Sequence, residues 1–89
     1  MARIAFTAHL AAVGPTEAVS YGGATLADVL EAVGADYPRL KGYVLDDQGR
    51  IRKHIAIFVD GLMRPRETAL DLKLEEASDV YVFQALSGG

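Results

Sequence analysis

The chain opens with an alternation of apolar and polar residues. Its apolar side comprises Ile4, Phe6, Ala8 and Leu10, and its polar side comprises Arg3, Thr7 and His9. A period of two predicts a half-buried strand over residues 3–10. Gly14-Pro15 then interrupts the pattern, and residues 16–21 are expected to return as the second strand of a hairpin.

An amphipathic helix follows Gly22-Gly23. Thr25 is a candidate N-cap, because its hydroxyl can accept a backbone N–H of the first turn. The next apolar residues recur at helical spacing, at Leu26, Val29, Leu30 and Val33. Gly34 is a stop signal and Pro38 disfavours continuation, so one helix of about ten residues is predicted.

The second half reads as strands and turns. Residues 43–45 and 51–59 flank the turn-rich Asp46–Gly49, which suits a hairpin. Asp60-Gly61, a dipeptide typical of two-residue hairpin loops, leads into Leu62-Met63. Residues 64–77 are irregular, and residues 79–86 form the last strand, rich in β-branched and aromatic side chains.

One helix covers only one face of such a sheet. In the last strand, Phe83 lies on the opposite side from Val80 and Val82. In the strand ending at Val59, Ala56 and Phe58 alternate with apolar neighbours. We expect Ala56, Phe58 and Phe83 to form an exposed patch that binds a partner; ordinary core packing is the alternative.

Composition and charge argue against several classes of protein. The net charge is −3 without an extended basic run, which argues against nucleic-acid binding. No apolar run is long enough to span a membrane or resembles a signal peptide, so a cytoplasmic protein is expected. The chain has no cysteine, which excludes disulfides and thiolate metal sites, and His9 and His54 lack ligand spacing, so no metal is expected.

The chain ends in Leu86-Ser87-Gly88-Gly89. Glycines lack Cβ atoms and can thread a narrow channel in conformations closed to other residues. The Gly89 carboxylate is also unhindered for attack on a nucleotide phosphate. A frayed terminus is the simpler interpretation. We expect one domain over residues 1–89, with a flexible tail over residues 85–89.

These features together resemble the ubiquitin-like sulfur carriers of the ThiS/MoaD group. The resemblance rests on the Thr25-Leu26 helix start, on residues 57–61 and on residues 78–83 running into the Gly-Gly tail. It implies an α+β fold of the β-grasp type, in which a mixed sheet of four or five strands packs on one main helix. It also places Phe83 at the position of a partner-contacting aromatic residue.

The resemblance further implies a carrier and not an enzyme. An E1-like adenylyltransferase would use ATP to join Gly89 to AMP, and a sulfur donor would displace the AMP to leave a thiocarboxylate. Gly88 would accompany Gly89 into the active site, with Leu86 and Ser87 contacting the partner. The carrier itself would bind no cofactor.

Three hypotheses stay open for the function of the chain, and the first leaves the sulfur acceptor open. The sulfur acceptor could be molybdopterin, which we favour and which would add a larger synthase subunit as partner, or the thiamin thiazole, cysteine or tRNA. The chain could instead be a protein modifier joined to lysines through Gly89. It could also be a non-covalent binding module whose Gly-Gly is incidental.

Overall fold

The computed structural model describes residues 1–84. The strands, in chain order, are β1 (Ala2–Phe6), β2 (Val19–Tyr21), β3 (Ile55–Val59), β4 (Leu62–Arg64) and β5 (Asp79–Gln84). The helices are α1 (Ala8–Ala11), α2 (Leu26–Asp36), α3 (Pro38–Val44) and α4 (Arg66–Ala69). No helix within this part of the chain has the length and apolar character needed to span a bilayer.

The strands form one mixed sheet in the order β2-β1-β5-β3-β4. The first and last strands are parallel neighbours, with Ile4 opposite Val80 and Phe6 opposite Val82. The other pairs are antiparallel. Because β5 lies between β1 and β3, the last strand of the chain occupies the centre of the sheet.

Helix α2 covers one face of the sheet. Its Thr25 hydroxyl accepts the N–H of Asp28 at 3.3 Å, and the Asp28 carboxylate accepts the N–H of Thr25 at 3.2 Å. This capping box confirms the predicted helix start. The predicted apolar stripe, Leu26, Val29, Leu30 and Val33, is buried against the sheet.

The predicted first strand, residues 3–10, extends further than the strand that the structure shows. It ends at Phe6, and residues 8–11 form α1, a short helix. Alanine is the strongest helix former, and the helical turn still buries Leu10, so burial of that residue does not need the strand. Ala8 is exposed, contrary to the alternation pattern. The second strand is also shorter than predicted, beginning at Val19.

The predicted strand at residues 43–45 is wrong. Residues 38–44 form α3, with Pro38 in its first turn and Leu40 and Val44 buried four residues apart. Proline ends one helix but is favoured at the start of the next. The 46–49 turn is confirmed: the Asp46 carboxylate accepts the N–H groups of Gln48 and Arg50, and Leu45 forms an isolated bridge with Ile51.

The hairpin at Asp60-Gly61 is also confirmed. Both residues have positive φ angles, 52° and 85°, which suit the twist of adjacent strands. The 64–77 segment contains the short α4, and its Leu70, Leu72 and Leu74 pack on the rim of the core.

Candidate functional site

The central strand β5 carries the predicted tail. Its backbone is held on both sides, by β1 and by β3. Leu86, Ser87, Gly88 and Gly89 lie outside the described residues, as does the predicted tail as a whole. The tail therefore continues from a point, Gln84, that the sheet holds in place.

Thr7 secures the end of β5. Its backbone N–H donates to the carbonyl oxygen of Val82 at 3.1 Å, and its side-chain oxygen accepts the N–H of Gln84 at 3.2 Å. Both bonds extend the β1–β5 pairing by a residue beyond β1 itself. Sequence reasoning missed this role of Thr7, because the two partners are 77 positions apart and no local pattern links them.

Side chains of β5 alternate between the core and the uncovered side of the sheet. Val80 and Val82 are buried, whereas Tyr81 and Phe83 are each 41% exposed. The predicted division of this strand is therefore observed. Since α2 lies on the other side, Phe83 belongs to the outer layer and not to the core.

The uncovered side carries a continuous apolar surface across four strands. Register pairs place Ala5 beside Tyr81, Tyr81 beside Phe58, and Phe58 beside Met63. In the adjacent row, Ala56 lies opposite Phe83. We call this set the open face: Ala5, Ala56, Phe58, Met63, Tyr81 and Phe83.

The open face brings the three predicted partner-binding residues together. Ala56 and Phe58 are half-buried by their neighbours, and Phe83 is more exposed than either. The rings of Tyr81 and Phe83 lie 6.4 Å apart at an angle of 53°, a favourable tilted arrangement. Tyr81, which the alternation along the last strand places on the same side as Phe83, also belongs to this surface, as does Met63, which was not singled out in the sequence.

A shallow groove of about 450 Å³ runs along the open face. Phe58, Tyr81 and Phe83 line it, and Arg3 and Asp79 lie at one end. These two form an ion pair at 3.2 Å, and the N–H of Asp79 donates to the Asp60 carboxylate at 2.9 Å. An apolar centre with a polar rim is the usual composition of a protein-binding surface.

The titratable residues of this part of the chain do not form a metal centre. His9 and His54 are both exposed. Among residues 1–84, no three His, Asp or Glu side chains are close enough to hold a metal ion. The open face can thus bind a surface, and the reactive group that sequence reasoning singles out, the Gly89 carboxylate, lies beyond Gln84.

Comparisons with known proteins bear on both the fold and the tail. The family model described as ThiS family matches residues 4–89, a span that includes the terminal Gly-Gly. A comparison with curated protein sequences finds no match.

Solved structures share the architecture over nearly the whole chain. SAMP1 from Haloferax volcanii is 26% identical, with a TM-score of 0.80 over 99% of this chain and 98% of that one. Small archaeal modifier protein 1 from Methanosarcina acetivorans is 21% identical, with a TM-score of 0.83 over 99% and 95%.

A third structure is a chain of the BexX/CysO complex from Amycolatopsis orientalis. It is 16% identical, with a TM-score of 0.86 over 100% of both chains. These likenesses confirm the predicted α+β fold of the β-grasp type, with five strands in the sheet.

Proposed function

The chain belongs to the ThiS family, and on that premise we propose that it carries sulfur as a thiocarboxylate at Gly89. The observation that carries the proposal is the extent of the family match, which runs through β5 to the last glycine. The sheet supports it physically. Because β5 is hydrogen-bonded to a strand on each side, a partner that binds the sheet also fixes the position of the residue from which the tail continues.

The chemistry proceeds in two balanced steps. An oxygen of the Gly89 carboxylate attacks the α-phosphorus of ATP, forming a P–O bond and releasing pyrophosphate. Hydrosulfide, delivered by a sulfur donor, then attacks the acyl carbon. A C–S bond forms, the C–O bond to phosphate breaks, and AMP leaves with the electron pair. No oxidation state changes.

ATP is required because a carboxylate is a poor electrophile. The mixed anhydride with phosphate supplies a leaving group that the free acid lacks. Both steps take place in the active site of an E1-like adenylyltransferase, in the cytoplasm where its ATP is available. The carrier binds no cofactor in this scheme; Gly88 and Gly89 enter the partner because they present no side chains.

The activating enzyme binds the carrier through the open face. Phe83, Phe58 and Ala56 present apolar side chains on the uncovered side of the strands that hold the tail. Leu86 and Ser87 extend the contact along the tail. A larger synthase subunit that accepts the sulfur would use the same face, and a molybdopterin precursor is the acceptor we favour. Thiamin thiazole, cysteine and tRNA remain the alternatives.

The mass of the protein tests the proposal. We expect protein purified from its own host to contain a fraction heavier by one oxygen-to-sulfur exchange, localised to the Gly89 peptide. Deletion of Gly88-Gly89 should abolish sulfur transfer and leave the thermal unfolding midpoint unchanged, because residues 2–82 already supply the packed core that the structure describes. Sulfur transfer that persists in the deletion variant would refute the carrier role.

A second function is conjugation of Gly89 to lysines of other proteins. The similarity to SAMP1, at 26% identity over 99% of the chain, favours it, since a related structure carries the name modifier protein. The activation step is the same and only the nucleophile differs. Tryptic peptides whose lysine carries residues 74–89 as a branch, the fragment left because Lys73 is the last trypsin site, would establish this function if they are found in host lysate and absent after deletion of the tail.

A further inference from the structure

Charge is distributed unevenly along the chain. Residues 50–67 contain five Lys and Arg against two Asp and Glu, whereas the whole chain contains nine against twelve. Local net charge in this segment is therefore +3 within a chain of −3. Such a segregation creates a local field that the net charge conceals.

The fold places the start of this segment at the end of β5 from which the tail continues. Ile55, the first residue of β3, lies opposite Gln84, and residues 52–54 (Arg52, Lys53 and His54) come just before it. A depression of about 310 Å³ is lined by Arg52 and His54 together with Gln84. Arg52 thus borders the last described residue before the tail.

The acidic residues near β5 gather at its other end. Asp79 begins the strand and contacts Asp60, while Glu75 and Glu76 precede it by a few positions. Arg3 and the N-terminal amine pair with Asp79 and Glu76 there and so offset only two of these four carboxylates, which leaves the sheet with an acidic end and a basic end. The tail leaves from the basic one.

Two of the cations are held by backbone carbonyl groups. Arg52 Nε donates to the Gly42 oxygen at 3.0 Å, and Arg66 Nη1 donates to the Ile51 oxygen at 3.0 Å. A carbonyl oxygen positions a guanidinium without cancelling its charge. Lys53 is exposed and makes no ion pair with any residue from 1 to 84. Arg52, Lys53 and Arg66 share a cleft of about 510 Å³, and Arg64 adjoins it.

Nearby carboxylates neutralise the charges of these Arg and Lys side chains only in part. The Asp46 carboxylate accepts the backbone N–H groups of Arg50 and Gln48, and these bonds, together with the nearby charges of Arg50 and Arg52, lower the pKa of its carboxyl. Glu67 lies 3.7 Å from Arg66 Nε and is itself largely exposed. Surface pairs at that distance contribute little. We call Arg52, Lys53, Arg64 and Arg66 the basic edge.

We propose that the basic edge docks a carboxylate-rich surface of the activating enzyme. This inference rests on the proposed function and adds a second contact to it. The open face gives apolar area, and the basic edge orients the body so that the tail faces the partner's active site. Attraction between exposed charges speeds association and weakens as salt screens it. A polyanion such as RNA fits less well, because the rest of the chain carries a net charge of −6 (four basic, ten acidic residues).

Steady-state kinetics of the purified activating enzyme of the source organism test this proposal. The measurement is ATP–pyrophosphate exchange against concentration of the full-length carrier, at low and high salt. We expect Lys53→Glu to lower kcat/KM about 10-fold at low ionic strength and less than about 2-fold in 0.5 M salt. Lys53→Gln, which removes one charge without reversing it, should fall between wild type and Lys53→Glu.

Lys73→Glu is the matched control, since it makes the same charge change at an exposed position beyond α4 and toward the acidic end. Circular dichroism confirms that each variant is folded. If wild type supports exchange and Lys53→Glu behaves like Lys73→Glu, the basic edge has no docking role. If wild type itself supports no exchange, the carrier function fails instead. Binding of a fluorescent 20-nucleotide RNA that is lost in Lys53→Glu, with exchange unchanged, would reassign the edge to nucleic acid.

Discussion

Replacing Phe83 with alanine should weaken partner binding without unfolding the protein. An aromatic side chain presents about 200 Å² of surface. Phe83 is 41% exposed, so about 80 Å² remains for a partner to cover. At about 25 cal/mol per Å², covering that area is worth about 2 kcal/mol. The dissociation constant for the activating enzyme should therefore rise about 30-fold.

The rest of the ring lies against the sheet and contributes to folding. Its area of about 120 Å² corresponds to an upper limit of about 3 kcal/mol, because the unfolded chain already buries part of it. Truncation on the outer surface opens no internal cavity, unlike truncation of Val82 in the core. Urea unfolding measures this loss directly, and binding is then compared at a temperature where both proteins are folded.

Isothermal titration calorimetry with the activating enzyme gives the dissociation constants. Leu62→Ala is the control, because Leu62 is 65% exposed but pairs with Val59, whose side chain faces the core layer and not the open face. Its dissociation constant should stay within about 2-fold of wild type. A Phe83→Ala protein that binds as tightly as wild type, or a Leu62→Ala protein that loses as much, would refute the assignment of the open face as the docking surface.

Two further predictions concern stability. Thr25→Ala removes one half of the capping box and should cost about 1 kcal/mol, a fall of about 4–8 °C in Tm, whereas Thr25→Ser should retain most of it; equal losses in the two variants would contradict the cap. The Tyr21 hydroxyl donates to the Asp36 carboxylate at 2.7 Å, and this bond raises the pKa of Tyr21 to about 12. Since the folded-state pKa lies above the unfolded value of about 10, the stabilisation is present below pH 10 and is lost as the pH rises toward 12. Wild type and Tyr21→Phe should therefore differ by less than about 1 kcal/mol in unfolding free energy at pH 9 and converge near pH 12, as followed by urea unfolding across that range; parallel profiles would show that the bond does not contribute.

Local patterns in the sequence predicted the elements that depend on local interactions. The start of α2 follows from Thr25 and Asp28, which are three residues apart and bond to each other. The Asp60-Gly61 turn follows from backbone angles that glycine adopts freely and aspartate tolerates. The same patterns failed at α1 and α3, because the burial of a single residue, Leu10 or Val44, is compatible with either a short helix or a short strand.

The candidate site was predictable in part. Alternation along β5 separated Phe83 from Val82, and one available helix implied that a face would stay uncovered. The contributions of Thr7 and Met63 were missed. Each depends on which strands become neighbours, and that is a property of the whole sheet.

The proposed chemistry rests on the sequence alone: two consecutive glycines at positions 88 and 89, the absence of a thiol, and a family match that extends to Gly89. The position in the sheet of the strand that leads to these glycines is decided by the tertiary structure. Parallel pairing of β1 with β5 puts the last strand at the centre of the sheet, and antiparallel pairing of β3 with β5 brings Arg52 of the basic edge near Gln84. Contacts between distant segments become favourable only once the intervening chain is ordered around a shared core, so no local pattern of residues encodes them.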